Sequence, residues 1–426
     1  MTTEAAEVPA ATAPPEPLRP VSTSERVETI DILRGLALFG ILAANMRGFS
    51  GPPITYFTPH LFWTALPDRI AQAFIDVFVQ GKFITIFAFL FGVGFAVQLE
   101  RANARGAKFG WTYARRLFVL LGFGLIHGLL IWFGDILLVY ALDGFLLLAF
   151  RKRRDRTLVI WAVILLSIMP LVMTGAFVAA QFGAKMPDLT PPAAEIARVA
   201  DTYANGTWLE IQKQRAMDAV KYNWGYLPIL LWQVLGVFLL GVLAWRKRVF
   251  HPTPESLPRY RTAMGWGFAI GVTGNVTMTI ARMFDPSPMP TTWLAFSLVP
   301  VMVISVPALS LGYVCLVILI CQDERWRTRL HRFAAVGRTA LTNYLLQAVI
   351  GTLIFYSYGL GFFGAGPAVL LPLTLLVFAG QVYASSWWLA RYRFGPVEWL
   401  WRRLTYKGSL PMRREKRVAT SEQVPV

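Results

Sequence analysis

The feature that most constrains this chain is a series of apolar segments, each about long enough to cross a lipid bilayer. A spanning helix needs about 20 apolar residues. The predicted spans are residues 30–47, 71–99, 114–131, 133–150, 157–181, 227–245, 263–283, 293–320, 337–357 and 366–390. Because chain inside a bilayer must satisfy its own backbone hydrogen bonds, these segments predict an all-α bundle of about ten transmembrane helices.

The loops between these segments alternate in charge. Lys and Arg cluster after the second, fourth, sixth, eighth and tenth spans, for example at 151–156 and 325–332. The loops 284–292 and 358–365, on the other side, contain neither residue. Such an excess of basic residues is typical of cytoplasmic loops. The pattern predicts a multi-pass protein of the inner (plasma) membrane with both termini in the cytoplasm.

Composition narrows the possible partners. Of 426 residues, 55% are hydrophobic and 15% are charged, whereas a soluble protein carries about 25% charged residues. The net charge of +17 comes from basic blocks beside apolar segments, which predicts contact with anionic membrane lipid and no nucleic-acid binding. Cys315 and Cys321 lie only six residues apart, and two lone thiols predict neither a metal site nor a disulfide framework.

The sequence outside the spans divides into tails and one long loop. Residues 1–25 are rich in Ala, Pro and Glu and lack the apolar core of a signal peptide, so they are predicted to be a disordered cytoplasmic tail. The transmembrane domain extends over 26–407, and 408–426 form a basic cytoplasmic tail. The outer loop 182–226 has balanced charges and an amphipathic helical pattern at 193–220. It either caps an outward-facing cavity or is a solvated connector.

Ionisable residues at the cytoplasmic ends of the spans are candidates for binding an anion. Asp31 and Arg34 are spaced i, i+3 and share one helix face. They form either an ion pair that anchors the helix or part of a phosphate site, because the forked donors of Arg match phosphate oxygens. Arg115, Arg116 and Arg338 begin other spans on this side. They either join that site or simply fix the topology.

Three amides lie inside predicted spans. Asn45 follows Arg34 by eleven residues, about three turns, on nearly the same face. Asn343 and Gln347 are spaced i, i+4 in the ninth span. Two interpretations remain open for each of them, hydrogen bonding between helices or contact with substrate in a polar cavity.

Two His–Asp combinations are predicted on the outer side. His60 precedes Asp68 in an aromatic, proline-broken segment that is expected to lie at the membrane interface. His127 lies about one turn from the end of its span, and Asp135 follows eight residues later at the turn into the next span. Histidine can act as a general base near neutral pH. Each pair is therefore a catalytic candidate, with a structural hydrogen bond or an idle surface histidine as the alternative.

Several of these residues carry a resemblance to a known family. Residues 31–45, 90–92, 127–140 and 337–347 resemble the YeiB-type bacterial membrane proteins, which are catalogued as domain of unknown function 418. The resemblance covers most of 27–407 and implies a membrane helix bundle more than a function.

A more distant likeness concerns the first span. Asp31-Ile-Leu-Arg34-Gly35 and Asn45 resemble the heparan-alpha-glucosaminide N-acetyltransferases, which move an acetyl group from cytosolic acetyl-CoA to a sugar amine. The pattern of that family has a functional His, a Trp three residues later and then an Asp, and His60, Trp63 and Asp68 match that order. Related polysaccharide acyltransferases carry His at the position of Asn45, so this chain departs from their pattern.

Three hypotheses for function follow. The first is a transmembrane acyltransferase that uses acyl-CoA as co-substrate, with no tightly bound cofactor and no metal, and an acceptor in the cell envelope. The second is a transporter or flippase of a lipid-linked or acidic small molecule. Its relay or substrate site would consist of Asp76, Lys82, His127 and Asp143. The third is a non-catalytic scaffold. Self-association into a homo-oligomer is compatible with all three.

Overall fold

The computed structural model describes residues 27–56, 58, 62–107, 109–184, 191–225, 227–284, 292–406 and 410–414. Within these ranges the chain forms sixteen α-helices and one isolated antiparallel bridge, between Tyr392 and Arg413. The helices are α1 (Glu28–Ser50), α2 (Leu66–Phe78), α3 (Lys82–Ala104), α4 (Phe109–Ile126), α5 (Leu137–Ala149), α6 (Asp155–Gln181), α7 (Ala193–Asn205), α8 (Trp208–Asp218), α9 (Leu227–Arg246), α10 (Leu257–Phe284), α11 (Trp293–Ser297), α12 (Val299–Ile320), α13 (Glu324–Arg338), α14 (Ala340–Phe355), α15 (Pro367–Arg391) and α16 (Pro396–Thr405).

The helices account for the predicted spans. Among the described residues, seven helical stretches are long and apolar enough to cross a membrane, as judged by length and composition. The helices α5 and α14 are shorter and apolar, and α10 has 28 residues. Every predicted span therefore coincides with helical structure. The chain is an all-α membrane protein, as predicted.

One predicted span is broken. The segment 71–99 consists of two helices, α2 and α3, that meet at Gly81, whose φ of 82° lies in the left-handed region that glycine tolerates. Backbone carbonyl groups that lose their helical hydrogen bonds at the break accept hydrogen bonds from nearby side chains instead. The Tyr313 hydroxyl donates to Phe78 O at 3.0 Å, and Lys82 Nζ donates to Asp76 O at 2.6 Å. Such compensation permits a broken helix at membrane depth.

Two helices lie where no span was predicted, and one predicted helix is divided. The helix α13 occupies a stretch that was interpreted as a basic loop, and α16 begins with Pro396 in its first turn. The predicted helix 193–220 is interrupted at Gly206, after which Thr207 and Glu210 form a capping box that starts α8. A prediction that looks for about 20 consecutive apolar residues does not find amphipathic helices of this kind, because they are too polar.

The helix α1 lies at the centre of the bundle. Of the 18 residues in its most apolar stretch, 67% are buried, a larger share than in any other candidate span of the described residues. It packs against α3, α13, α14 and α15. The crossing with α13 brings the two backbones into contact, since a Cβ atom at Gly337 would stand 1.9 Å from Asp31 O. A Cβ at Gly35 would likewise stand 2.1 Å from Phe333 O. This crossing fixes the positions of the neighbouring residues Arg34 and Arg338.

Substitution of Gly337 by Ala is therefore expected to destabilise the protein. The added methyl group cannot fit against backbone, and overpacking of this kind costs about 1–3 kcal/mol of unfolding free energy. Thermal unfolding of the detergent-solubilised protein measures the effect. Gly175→Ala is the matched control, because no atom lies within 4 Å of its added Cβ, and it should be neutral or slightly stabilising. Equal unfolding temperatures for both variants would contradict the close helix crossing.

Candidate functional site

A cavity of about 270 Å³ opens where α1, α3, α4, α13 and α16 converge. We call it the basic cavity because its described walls carry five arginines and two carboxylates, which gives a formal charge of +3. The arginines are Arg34, Arg101, Arg116, Arg338 and Arg402, and the carboxylates are Asp31 and Glu398. A positive, partly enclosed site of this kind attracts anionic groups.

The far end of the basic cavity is lined by apolar and aromatic residues. Its lining includes Ile41, Leu120, Ile136, Tyr140 and Tyr344. Ile41 lies seven residues beyond Arg34 on α1, so the cavity follows the helix for about 10 Å. A ligand with a charged head and a narrow apolar arm would match this gradient.

Neighbouring side chains hold two of the arginines. Arg34 Nη1 donates to Asp31 Oδ1 at 3.1 Å, so the predicted i, i+3 pair forms inside the cavity wall. Arg116 donates to Gln98 Oε1 at 2.7 Å, and its guanidinium lies 4.0 Å from the ring centroid of Trp401. Stacking and hydrogen bonding of this kind limit the rotamers of a long side chain.

The predicted anion-binding residues are only partly brought together. Arg34, Arg116 and Arg338 line the basic cavity, whereas the half-buried Arg115 is not among its described lining residues. Sequence reasoning placed Arg101 in a loop and Arg402 in the basic C-terminal stretch. For Arg402, the sequence feature that could have indicated its place in the site was the spacing of Glu398, Arg402 and Thr405. These positions lie at i, i+4 and i+7 on one helix face.

The three predicted amides contact other helices or turns. Asn45 Oδ1 accepts a hydrogen bond from the Tyr56 hydroxyl at 2.8 Å. Asn343 Nδ2 donates to Ser385 Oγ, and Gln347 Nε2 donates to Gln381 Oε1, each at 2.9 Å. None of the three amides is among the described lining residues of the basic cavity. The amides of α14 therefore join it to α15.

His127 and Asp135 are in contact near the other end of the bundle. His127 Nδ1 lies 2.9 Å from Asp135 Oδ1, and both side chains are fully buried. Asp135 Oδ2 also accepts from Leu138 N at 2.8 Å in the first turn of α5, so two contacts orient the carboxylate. The absence of a side chain at Gly124 allows α4 and α5 to approach closely, since a Cβ there would stand 2.5 Å from Leu138 N.

The surroundings of His127 suit a general base. The helix α4 continues as a π-turn, His127–Ile131, a feature that is frequent at functional sites. The Nε2 atom of His127 is buried and has no hydrogen-bond partner in the described part of the chain. An imidazole that is oriented through Nδ1 by a carboxylate presents Nε2 to a proton donor. The pair can therefore accept a proton from a bound hydroxyl or amine.

An aromatic side chain that lines the basic cavity is in contact with this pair. Tyr344 lines the deep end of the cavity, and its ring centroid lies 5.0 Å from that of His127. Its hydroxyl donates to Gly134 O at 3.2 Å, next to Asp135. The cavity and the His–Asp pair are thus adjacent compartments with Tyr344 as their shared wall.

The long segment after α6 covers the pair from the other side. Arg215 Nη1 donates to Leu130 O at 2.6 Å. Asn223 Nδ2 donates to both Phe133 O and Asp135 O, at 3.0 and 2.7 Å. The segment thus packs on the turn between α4 and α5, and we call the helix α8 with its π-helical extension Ala219–Trp224 the cap.

The cap contains a titratable group with a shifted pKa. Asp218 accepts hydrogen bonds from the Tyr203 hydroxyl at 2.6 Å and from Gln214 Nε2 at 2.9 Å, and burial raises its pKa to about 6. An exposed aspartate titrates at about 3.9, so the packed cap binds this proton more tightly than a cap detached from the bundle would. Stability of the packed cap is therefore greatest at low pH and is lost as pH rises through about 6.

Limited proteolysis of the cap is accordingly expected to be slower at pH 5 than at pH 7.5. The Asp218→Asn variant should cleave at a rate that hardly varies over this range, because its amide does not titrate. Protease activity is normalised with an unstructured peptide at each pH. A wild-type rate that falls as pH rises would contradict the assignment.

The outer candidates His60 and Asp68 are not shown together, because His60 lies outside the described residues. Asp68 Oδ1 accepts from Ala368 N at 3.0 Å, in the first turn of α15. A carboxylate is stabilising at a helix N-terminus. Asp68 therefore has a structural partner in α15, and the predicted catalytic role of His60 stays a prediction.

The intramembrane charges divide into a cluster and an isolated group. Arg47 Nη1 lies 3.3 Å from Asp76 Oδ1, and Lys82 donates to the carbonyl of the same aspartate. Asp143 is fully buried on α5, and neither carboxylate oxygen has a hydrogen-bond partner among the described residues. His127 contacts Asp135 rather than any of these groups. Of the four residues of the predicted relay, only Asp76 and Lys82 are therefore joined by a hydrogen bond among the described residues.

Comparison with known proteins places this all-α membrane protein in a family. The family model described as "Protein of unknown function (DUF418)" matches residues 244–408. Uncharacterized protein YxaH of Bacillus subtilis is 36% identical, over 94% of this chain and 99% of its own length. Uncharacterized protein YeiB of Escherichia coli is 35% identical, over 91% and 98%. The chain belongs to the YeiB-like family.

Proposed function

We propose that this protein transfers an acyl group from cytosolic acyl-CoA to a hydroxyl or amine on the outer side of the bacterial inner membrane. The observation that carries the proposal is the basic cavity itself. It is arginine-rich at one end and reaches, at the other, a tyrosine that contacts the buried His127–Asp135 pair. In this proposal both termini and the basic end of the cavity face the cytosol, as the positive-inside rule predicts.

The donor would bind with its phosphates among the arginines. Guanidinium groups recognise phosphate oxygens with paired, charge-assisted hydrogen bonds. Arg34, Arg116 and Arg338 supply such donors on three different helices. The pantetheine arm would extend toward Tyr140 and Tyr344, which brings the thioester to the wall in front of His127.

Transfer then requires His127 to accept one proton and to give it up again. Its Nε2 takes the proton from the acceptor hydroxyl or amine, whose heteroatom attacks the thioester carbonyl. The carbon–sulfur bond breaks, and the departing CoA thiolate takes the proton back from His127. Asp135 orients the imidazole throughout. General base catalysis of this kind contributes about 10²–10⁴-fold in rate.

Inside-out membrane vesicles test the proposal. They expose the cytoplasmic face to acetyl-CoA labelled in the acetyl group and keep native envelope acceptors in the lumen. Vesicles with this protein should incorporate label into lumenal material and release free CoA in equal amounts. Vesicles without the protein are the control. No label above the control, with protein shown to be folded, would reject acyl transfer.

Asp143 favours a second candidate, a proton-coupled transporter of an acidic molecule. A buried carboxyl without a hydrogen-bond partner among the described residues is a frequent marker of proton relays in membranes. Uptake of labelled acidic metabolites into proteoliposomes, with and without Asp143→Asn, distinguishes this candidate. Transport that persists in the His127→Gln variant would favour it over acyl transfer.

A further inference from the structure

The short helix α16 forms part of the wall of the basic cavity. It packs against α4 and α14. Three of its side chains, Glu398, Trp401 and Arg402, line the cavity, and Tyr406 lines it just beyond the helix end. The cavity therefore depends on a helix that follows the last predicted span.

Glu398 anchors this helix. Its side chain is buried, and its carboxylate accepts hydrogen bonds from the backbone N–H of Thr342, at 3.0 Å, and from the Thr342 hydroxyl. Thr342 lies in the first turn of α14, where amides lack partners within the helix. The Thr342 hydroxyl also accepts from Val397 N at 3.2 Å. Glu398 thus acts as an N-terminal cap for α14, supplied from 56 residues away.

Docking of α16 determines where two arginines lie. Trp401 Nε1 donates to Arg116 O at 2.8 Å, and the Arg116 guanidinium stacks over the Trp401 ring. Arg402 lies next to Trp401 on the same helix and lines the cavity. Two of the five arginines are therefore held in place by α16. Burial raises the pKa of Glu398, which is consistent with its position away from bulk solvent.

We propose that Glu398 is a positioning residue of the acyl-CoA site, which docks α16 so that Arg116 and Arg402 face the phosphates of the donor. This inference rests on the proposed function. Glu398 acts through the position of α16, because each of its carboxylate oxygens accepts a hydrogen bond from Thr342. Without the docked helix the phosphate site would lack one wall.

Equilibrium binding of radiolabelled CoA to the full chain in lipid nanodiscs tests the inference. Glu398→Ala should weaken binding about tenfold or more, which corresponds to the loss of one or two charge-assisted hydrogen bonds. Glu255→Ala is the control, because Glu255 is exposed and does not line the cavity, and its affinity should equal that of wild type. Glu398→Gln keeps the size and one acceptor oxygen, so it should bind with intermediate affinity and serves where the alanine variant does not fold.

A double-mutant cycle with Arg116→Ala separates positioning from general destabilisation. Because Glu398 is inferred to act through both Arg116 and Arg402, its replacement should change affinity less in the Arg116→Ala background, where only the part through Arg402 remains, than in wild type. Equal effects in both backgrounds, or a Glu398 variant within twofold of wild type, would overturn the inference. CoA binding with the expected cycle but no labelled transfer would reject the proposed function alone. Absence of CoA binding by the wild type would reject both.

Discussion

Replacement of His127 by glutamine is expected to abolish acyl transfer and to leave acyl-CoA binding unchanged. The amide fills much of the same buried volume but cannot accept the proton of the acceptor, so the rate should fall by about 10²–10⁴-fold. Asp135→Asn should lower the rate as well, because the amide no longer fixes the tautomer of the imidazole. Label incorporation by inside-out vesicles measures both effects.

His331→Gln provides the control for this substitution. His331 is exposed on α13, where it contacts Glu28, and its replacement should leave transfer at the wild-type rate. Normal transfer by the His127 variant would remove His127 from the chemistry. His60, the other histidine that the sequence offers as a general base, would then become the better candidate.

Replacement of Arg47 by alanine should have the largest effect on stability. Arg47 is 1% exposed and pairs with Asp76 at 3.3 Å. Removal of one partner of a buried ion pair typically costs about 3–5 kcal/mol of unfolding free energy, because the remaining charge is left buried. Thermal unfolding in detergent, at one fixed lipid-to-detergent ratio, measures the change.

The double variant Arg47→Ala, Asp76→Asn controls for this charge. It removes both members of the pair, so it should regain part of the stability that the single variant loses. A single variant as stable as wild type would show that the pair contributes nothing to the fold. The expected result makes this cluster a structural tie between α1 and α2.

Hydropathy and charge were sufficient to predict the bundle, but not its local breaks. A spanning segment is recognised from length and apolar content, which is why every predicted span contains helix. The break at Gly81 depends on donors such as Tyr313, which is 235 residues away from its acceptor. The helices α13 and α16 are amphipathic and lie along the bundle end, so neither has the length or composition of a span.

The candidate site was predictable where spacing along the chain determines contact. His127 and Asp135 flank one hairpin, so a separation of eight residues was enough to suggest that they meet. The positions of Tyr344 and Glu398 depend on which helices pack together, and periodicity within one helix does not contain that information. Arg115 and Arg116 are adjacent in sequence, yet only Arg116 is a described lining residue.

Saturation binding of labelled acetyl-CoA to the purified protein tests the assignment of the basic cavity most directly. Wild type should bind saturably, more tightly at low salt than at high salt because the contacts are ionic. Arg34→Ala and Arg116→Ala should each weaken binding about tenfold or more, whereas Arg261→Ala, at an exposed arginine outside the cavity lining, should bind like wild type. Absence of saturable binding at low salt, or equal affinities for all four proteins, would contradict the basic cavity as a donor site.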